Sequence, residues 1–161
     1  MPIQTSDTPI TGREPLGALH EPVQALAQFY RAFNDRDLAM MEENWDSSDT
    51  AAMDNPLGGI KRGWPEIRSV YERVFQGAGR VRVEFHDYTI HVIGDVFYAV
   101  GRERGTLERD DVRLDLAIRT SRIFRRGDGR WRQVHHHGSI DDPRLLAAYQ
   151  EAVNAAGSPH R

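Results

Sequence analysis

The spacing of hydrophobic residues changes once along the chain, from a helical period to a strand period. Before residue 80, apolar residues recur at intervals of three and four, which is typical of helices with one buried face. From Arg80 onward they alternate with polar residues, which is typical of strands. The pattern therefore predicts helices first, then a run of antiparallel strands, and a final helix.

Three helices are predicted in the first half. The first begins near Pro22, because a proline in the first turn lacks only an N–H that would be unpaired there. A second follows Asp37, whose side chain can cap it, and a third is predicted over residues 65–76. Between these two, a short strand at 50–53 leads into a loop. Residues 1–20 have no period and are predicted to be a flexible arm.

Four long strands follow, over residues 80–93, 96–104, 112–125 and 130–140. In the first strand the apolar positions change parity between Phe85 and Tyr88, which predicts a β-bulge that bends the sheet. Pro143 opens a C-terminal helix, so that residues 21–142 form the domain and 143–161 a helix and tail. A bent sheet with helices on one side is an α+β fold, and its curvature leaves a concave pocket.

Composition limits the function. The chain has 161 residues, of which 39% are hydrophobic and 28% charged, as expected of one soluble globular domain. The absence of cysteine excludes disulfides and thiolate chemistry, and a net charge of −3 argues against general binding of nucleic acid. No apolar run is long enough to span a membrane and no signal pattern is present, so the expected location is the cytoplasm. No phosphate-binding loop or nucleophile elbow is recognisable, and no cofactor is predicted.

Two arginines interrupt rows of apolar residues in the predicted strands. Arg122 shares a row of alternate positions with Ile118 and Phe124, and Arg102 shares one with Tyr98. A guanidinium on a buried face keeps its charge and needs an anion or several acceptors. Two such cations on one pocket would bind a small carboxylate, phosphate or enolate, with Tyr98 beside them. The alternatives are that each arginine pairs with an internal carboxylate or lies in solvent.

Three consecutive histidines occupy the last strand. Alternation places His135 and His137 on one face and His136 on the other, but which face points inward depends on whether the strand carries a bulge. A metal would need a further ligand, for which His86, His91 and Asp54 are the candidates. The spacing supplies none of them, so structural histidines or a proton shuttle are favoured and no metal is predicted.

Two more residues belong to the candidate site. Asp54 lies between Met53 and a turn; beside an apolar wall it could act as a general base, and otherwise it caps the turn. Tyr30 lies on the buried stripe of the first helix, where its hydroxyl could be a donor. The candidate catalytic residues are therefore Asp54 and His137, and the candidate ligand contacts are Arg102, Arg122, Tyr30, Tyr98 and His135.

Several segments resemble the nuclear transport factor 2-like superfamily, and within it the SnoaL-like group. The matching segments are AFNDRD at 32–37, IHVIG at 90–94, SRIFRRGDGRW at 121–131 and VHHHGS at 134–139, with Thr50-Ala51, Leu57-Gly58-Gly59 and Gly63 between them. Over about residues 23–140 the chain is similar to the association (hub) domains of calcium/calmodulin-dependent protein kinase II. The resemblance implies a cone-shaped half-barrel, in which a strongly curved antiparallel sheet packs on three N-terminal helices, and a homodimer through the sheet.

The resemblance also bears on the pocket. It implies that Arg102 and Arg122 line a pocket for small carboxylates, and that a further pocket arginine of the hub domains is replaced here by Gly138. One hypothesis is a protein that binds a small anionic ligand, carboxylate or enolate, and acts by proton transfer as an isomerase, dehydratase or cyclase. The alternative is a noncatalytic domain for homo-oligomerisation or ligand sensing. A metal-dependent enzyme that uses the histidines is the least favoured.

Overall fold

The computed structural model describes residues 3–5, 7–17 and 21–154. The helices within this part of the chain are α1 (Pro22–Asn34), α2 (Leu38–Asn44), α3 (Trp64–Gln76) and α4 (Pro143–Asn154). The strands are β1 (Ile3–Thr5), β2 (Ala52–Asp54), β3 (Lys61–Arg62), β4 (Arg80–Ile93), β5 (Val96–Arg109), β6 (Val112–Gly127) and β7 (Arg130–Ser139).

The described strands form one open, curved sheet in the order β1-β4-β5-β6-β7-β2-β3. Every neighbouring pair is antiparallel except β2 and β7, which run parallel. One face carries large buried side chains such as Phe97, Phe124 and Trp131 and packs against the helices. We call this the inner face and the opposite one the outer face. The α+β class and the curved sheet are confirmed.

The predicted bulge in β4 is also confirmed. The pairing of β4 with β5 changes register between His86 and Thr89, and Asp87 has a φ of 51°. Because one residue is extra there, Phe85 and Tyr88 both lie on the inner face, with their rings stacked 5.2 Å apart. The bulge bends the sheet around the helices and so creates the space between them.

The N-terminal arm differs from its prediction. Ile3–Thr5 pairs antiparallel with β4, and Ile10 exchanges two backbone hydrogen bonds with Phe85, of 3.0 and 2.9 Å. Ile10 is also part of the core. The prediction of a flexible arm is therefore wrong at these positions, because segments this short satisfy the edge of β4 without forming a recognisable period. Residues 1–2, 6, 18–20 and 155–161 lie outside the described residues.

No helix in the described ranges has both the length and the apolar character that crossing a membrane requires.

Candidate functional site

The inner face and the helices enclose a small hollow of about 40 Å³, which is room for a few water molecules. Most of its lining is apolar or aromatic, and its charged or polar lining groups are Asn55, Tyr71, Glu103, Arg122, His136 and Tyr149. Helix α4 closes one side, since Tyr149 is buried against the hollow and the Gln150 amide donates to the Pro56 carbonyl at 2.9 Å.

Arg122 lines this hollow from the inner face of the sheet, and its side chain is 1% exposed. The guanidinium donates to Glu103 Oε2 at 3.1 Å, to Gln133 Oε1 at 2.7 Å and to the Tyr30 hydroxyl at 3.4 Å. Its carbon also lies 3.6 Å from the centre of the Phe29 ring, so the cation is fixed from one side by an aromatic face.

Glu103 is the counter-ion of Arg122. Its side chain is only 6% exposed, and its second oxygen accepts a hydrogen bond from the Thr120 hydroxyl at 2.9 Å. Burial alone lowers the pKa of Arg122, but the attraction of Tyr30 and Glu103 outweighs burial and raises it above its ordinary value. The site therefore contains a buried ion pair, which was one of the alternatives for Arg122.

A chain of amides fixes the orientation of this pair. Gln133 is fully buried, and its amide nitrogen donates to Asn44 Oδ1 at 3.1 Å. The Asn44 amide in turn donates to the Ala25 carbonyl and to Gln28 Oε1, both at 2.9 Å. Since these partners belong to α1 and α2, the helices and the sheet hold the guanidinium together.

Tyr30 is placed as the sequence predicts, on the inward stripe of α1. It is fully buried, and its hydroxyl accepts the hydrogen bond from Arg122. Burial, and secondarily the charge of Glu103, raise the pKa of Tyr30 well above its ordinary value. The hydroxyl therefore keeps its proton at neutral pH.

His136 is the histidine that faces the hollow. The pairing of β6 with β7 changes register so that Ile123 faces His135 and Phe124 faces Gln133, which leaves Val134 as a bulge. Gln133 and His136 consequently both lie on the inner face, where each is buried.

The protonation of His136 follows from its surroundings. Its Nδ1 lies 3.3 Å from the Ser121 carbonyl, which can only accept, so Nδ1 carries the hydrogen and Nε2 the lone pair. Burial, and next the charge of Arg122, hold the pKa of His136 well below its ordinary value. The imidazole is therefore neutral at pH 7 and can accept a proton at Nε2.

The other two histidines lie on the outer face. His135 Nδ1 lies 3.0 Å from the Ala52 carbonyl, and His137 Nδ1 lies 3.2 Å from Asp54 Oδ2. Asp54 and His137, the predicted catalytic residues, thus contact each other, but their side chains are 42% and 49% exposed and lie across the sheet from Arg122. The prediction that they and His135 act on a ligand held by Arg122 is wrong in its geometry. The bulge at Val134 reverses the parity of β7, and Asp54 of β2 pairs in register with His137 and so shares its face.

Arg102 and Tyr98 also lie on the outer face. Arg102 is 62% exposed and 4.0 Å from Asp87, while Tyr98 stacks on His91 with ring centres 4.5 Å apart. The inward row of β5 consists instead of Phe97, Ala99, Gly101 and Glu103. The predicted pair of inward arginines is therefore wrong. Residues 96–100 are apolar at both parities, so alternation could not show which side is buried.

A signal for Glu103 was nevertheless present in the sequence. The turn at Asp110-Asp111 pairs Arg109 with Val112, and counting back from it places Glu103 opposite Ile118. Ile118 lies in the same inward-facing row of β6 as Arg122. Because directly opposed residues of paired strands lie on the same face of the sheet, Glu103 lies on the inner face. Combining the turn with the parity of β6 would have found the counter-ion.

The outer face carries a second and larger recess, of about 630 Å³. Its lining includes Val100, Arg102, Arg119, Ser121 and His137, and we call it the outer recess. Arg119 is paired with Asp141 at 2.7 Å. Among the described residues, no group of three or more His, Asp or Glu side chains is arranged to hold a metal ion.

A curved sheet packed on three helices around a hollow that holds a buried ion pair defines a class of cone-shaped domains, and the comparisons agree with this. The sequence pattern of the SnoaL-like domain matches residues 23–143, so the chain belongs to the SnoaL-like family within the nuclear transport factor 2-like superfamily. Comparison with the curated proteins gave no match.

Three solved structures illustrate the similarity of the fold. One, from Thiobacillus denitrificans, is described as a calcium/calmodulin-dependent protein kinase type II association domain; it is 28% identical, with a TM-score of 0.65 over 80% of this chain and 100% of that one. Another, from Streptomyces avermitilis, is described as a dehydratase. It is 18% identical, with a TM-score of 0.68 over 75% of this chain and 94% of that one. A third, from Shewanella frigidimarina, is described as a ketosteroid isomerase. It is 16% identical, with a TM-score of 0.58 over 73% of this chain and 93% of that one. The last two share the fold.

Proposed function

We propose that this chain binds a small molecule in the inner hollow and transfers a proton on it, as isomerases, dehydratases and cyclases do. The observation that carries the proposal is the guanidinium of Arg122. Three of its five N–H groups donate to Glu103, Gln133 and Tyr30, and the guanidinium also lines the hollow. From there it can donate to a carbonyl, enolate or carboxylate oxygen of a ligand.

His136 supplies the second part of the chemistry. With a carbonyl oxygen held at Arg122, a C–H bond beside the carbonyl breaks, its proton goes to Nε2 of His136 and its electron pair moves toward the oxygen. Arg122 would stabilise the resulting negative charge in a site that excludes water. Burial first, and the charge of Arg122 second, keep His136 unprotonated before the reaction, as its lowered pKa indicates.

Helix α4 and the loop at residues 55–59 both border the hollow, through Tyr149 and through Asn55 and Pro56. The bond from Gln150 to Pro56 joins these two segments directly over the hollow. Opening this contact would admit a ligand, and closing it would shield the proton transfer from solvent.

The proposal is tested with acetamide and acetate as probes, followed by ¹H–¹⁵N NMR. The variant Arg122→Met/Glu103→Leu removes both charges together, which buried ion pairs tolerate far better than loss of one partner. We expect at least one probe to give saturable shifts at residues lining the hollow of the wild type and neither to do so in the double variant. Equal binding by both proteins would contradict the proposal.

A second candidate function is self-association through the outer face. It is supported by the 28% identity to the Thiobacillus denitrificans association domain and by Val100, a 45% exposed apolar side chain in the outer recess. Sedimentation should then give the mass of a homodimer, and Val100→Glu should give that of a monomer. Val112→Glu, at an equally exposed valine beside the β5–β6 turn, is the control and should remain dimeric. A monomeric wild type would contradict this candidate.

A further inference from the structure

We infer that the inner hollow selects ligands in an uncharged form, and that Glu103 imposes this selection. The inference rests on the proposed function, because it names the class of ligand for the same site: a neutral carbonyl compound such as a ketone, ester or amide. It differs from the sequence-based expectation of an anionic ligand, which did not include a buried counter-ion.

The charges that face the hollow sum to zero. Arg122 carries one positive charge and Glu103 one negative charge, 3.1 Å apart. His136 is neutral, and the tyrosines from α3 and α4 keep their protons, since burial raises the pKa of Tyr71 to about 12 and also raises that of Tyr149.

An anion would disturb this balance. It would lose its hydration on entering a site whose charged side chains are 1% and 6% exposed, and the cation that lines this site, Arg122, already has a partner. It would also meet the carboxylate of Glu103 at close range. A neutral carbonyl oxygen avoids both penalties, because it accepts an N–H of Arg122 without adding a charge.

Glu103 is held too firmly to move aside for an anion. One of its oxygens accepts from Thr120 at 2.9 Å and the other from Arg122. Glutamine has nearly the same shape but no charge, so Glu103→Gln would leave the guanidinium uncompensated. The hollow should then favour the anion that the wild type excludes.

Three probes with four heavy atoms each separate charge from shape: acetate, acetamide and acetamidinium are negative, neutral and positive. The hollow is small enough to suit them. By NMR titration at pH 7, we expect the wild type to bind acetamide about tenfold more tightly than either ion, a difference of ~1.4 kcal/mol. In Glu103→Gln, acetate should become the tightest of the three. Asp87→Asn, an exposed carboxylate of the outer recess, is the control and should keep the wild-type order.

The outcomes separate the two proposals. A wild type that prefers acetate would overturn the selection of neutral ligands while leaving binding at Arg122 intact. A wild type that binds none of the three probes would overturn the proposed function, and the inference with it. Should Glu103→Gln not fold, the order of the three probes on the wild type decides whether neutral ligands are selected, since a wild type that binds either ion as tightly as acetamide would overturn that selection.

Discussion

Replacing Arg122 by methionine should lower the free energy of unfolding by about 3–5 kcal/mol. Methionine retains the length and the contact with Phe29 but leaves Glu103 as an unpaired charge whose side chain is 6% exposed. The loss would be measured by urea denaturation followed by circular dichroism. It should exceed the effect of replacing any uncharged residue of the site, because only the loss of Arg122 or of Glu103 leaves a buried charge without its partner there.

Two control variants separate this effect from the loss of packing. Arg122→Met/Glu103→Leu removes both charges and should recover most of the lost stability. Arg104→Met breaks an exposed pair, with Asp87 3.0 Å away and both side chains more than half exposed, and should cost less than about 1 kcal/mol. If Arg122→Met costs as little as Arg104→Met, the buried pair does not have the role assigned to it.

Stability should also fall as the pH drops below about 6.5, because of His136. Its pKa is near 6.5 when exposed and well below that in the folded protein, through burial first and the charge of Arg122 second. Above pH 6.5 His136 is neutral in both the folded and the unfolded chain, and its contribution to the free energy of unfolding is fully present. Below it the unfolded chain takes up a proton that the folded chain does not, so stability declines by up to about 1.4 kcal/mol per pH unit until the folded pKa is reached.

The change in stability is measured as the free energy of unfolding in urea between pH 7.5 and 5. In His136→Gln the decline should become much smaller. His135→Gln is the matched control, since His135 also bonds a backbone carbonyl but lies half-buried on the outer face, and it should keep the wild-type decline. An unchanged decline in His136→Gln would mean that other groups cause it.

Part of the fold followed from the sequence because the relevant signals are local. The parity change between Phe85 and Tyr88 requires an extra residue, and the structure has it. The inward-facing residues of β6 could be predicted because only one of its two sets of alternate residues is mainly apolar. Arg122 belongs to that set, which identified it as a buried cation. The helices were readable for the same reason, since each has a single apolar stripe.

The rest of the site depends on how neighbouring strands pair, which the pattern within one strand does not show. Residues 96–100 are apolar on both faces, so only pairing with β6 shows that Glu103 and not Arg102 points inward. The bulge at Val134 lies within a short run of polar residues, and no change of apolar parity reveals it. Sequence patterns therefore found the cation of the hollow but neither its counter-ion nor its histidine.

The central claim is that the inner hollow, with Arg122 and His136, is the ligand site of this protein. A crystal structure of the protein with acetamide tests it most directly. The account predicts the amide in the hollow, with its oxygen within hydrogen-bond distance of the Arg122 guanidinium and beside Nε2 of His136. Acetamide bound in the outer recess, with the hollow unchanged, would contradict the account.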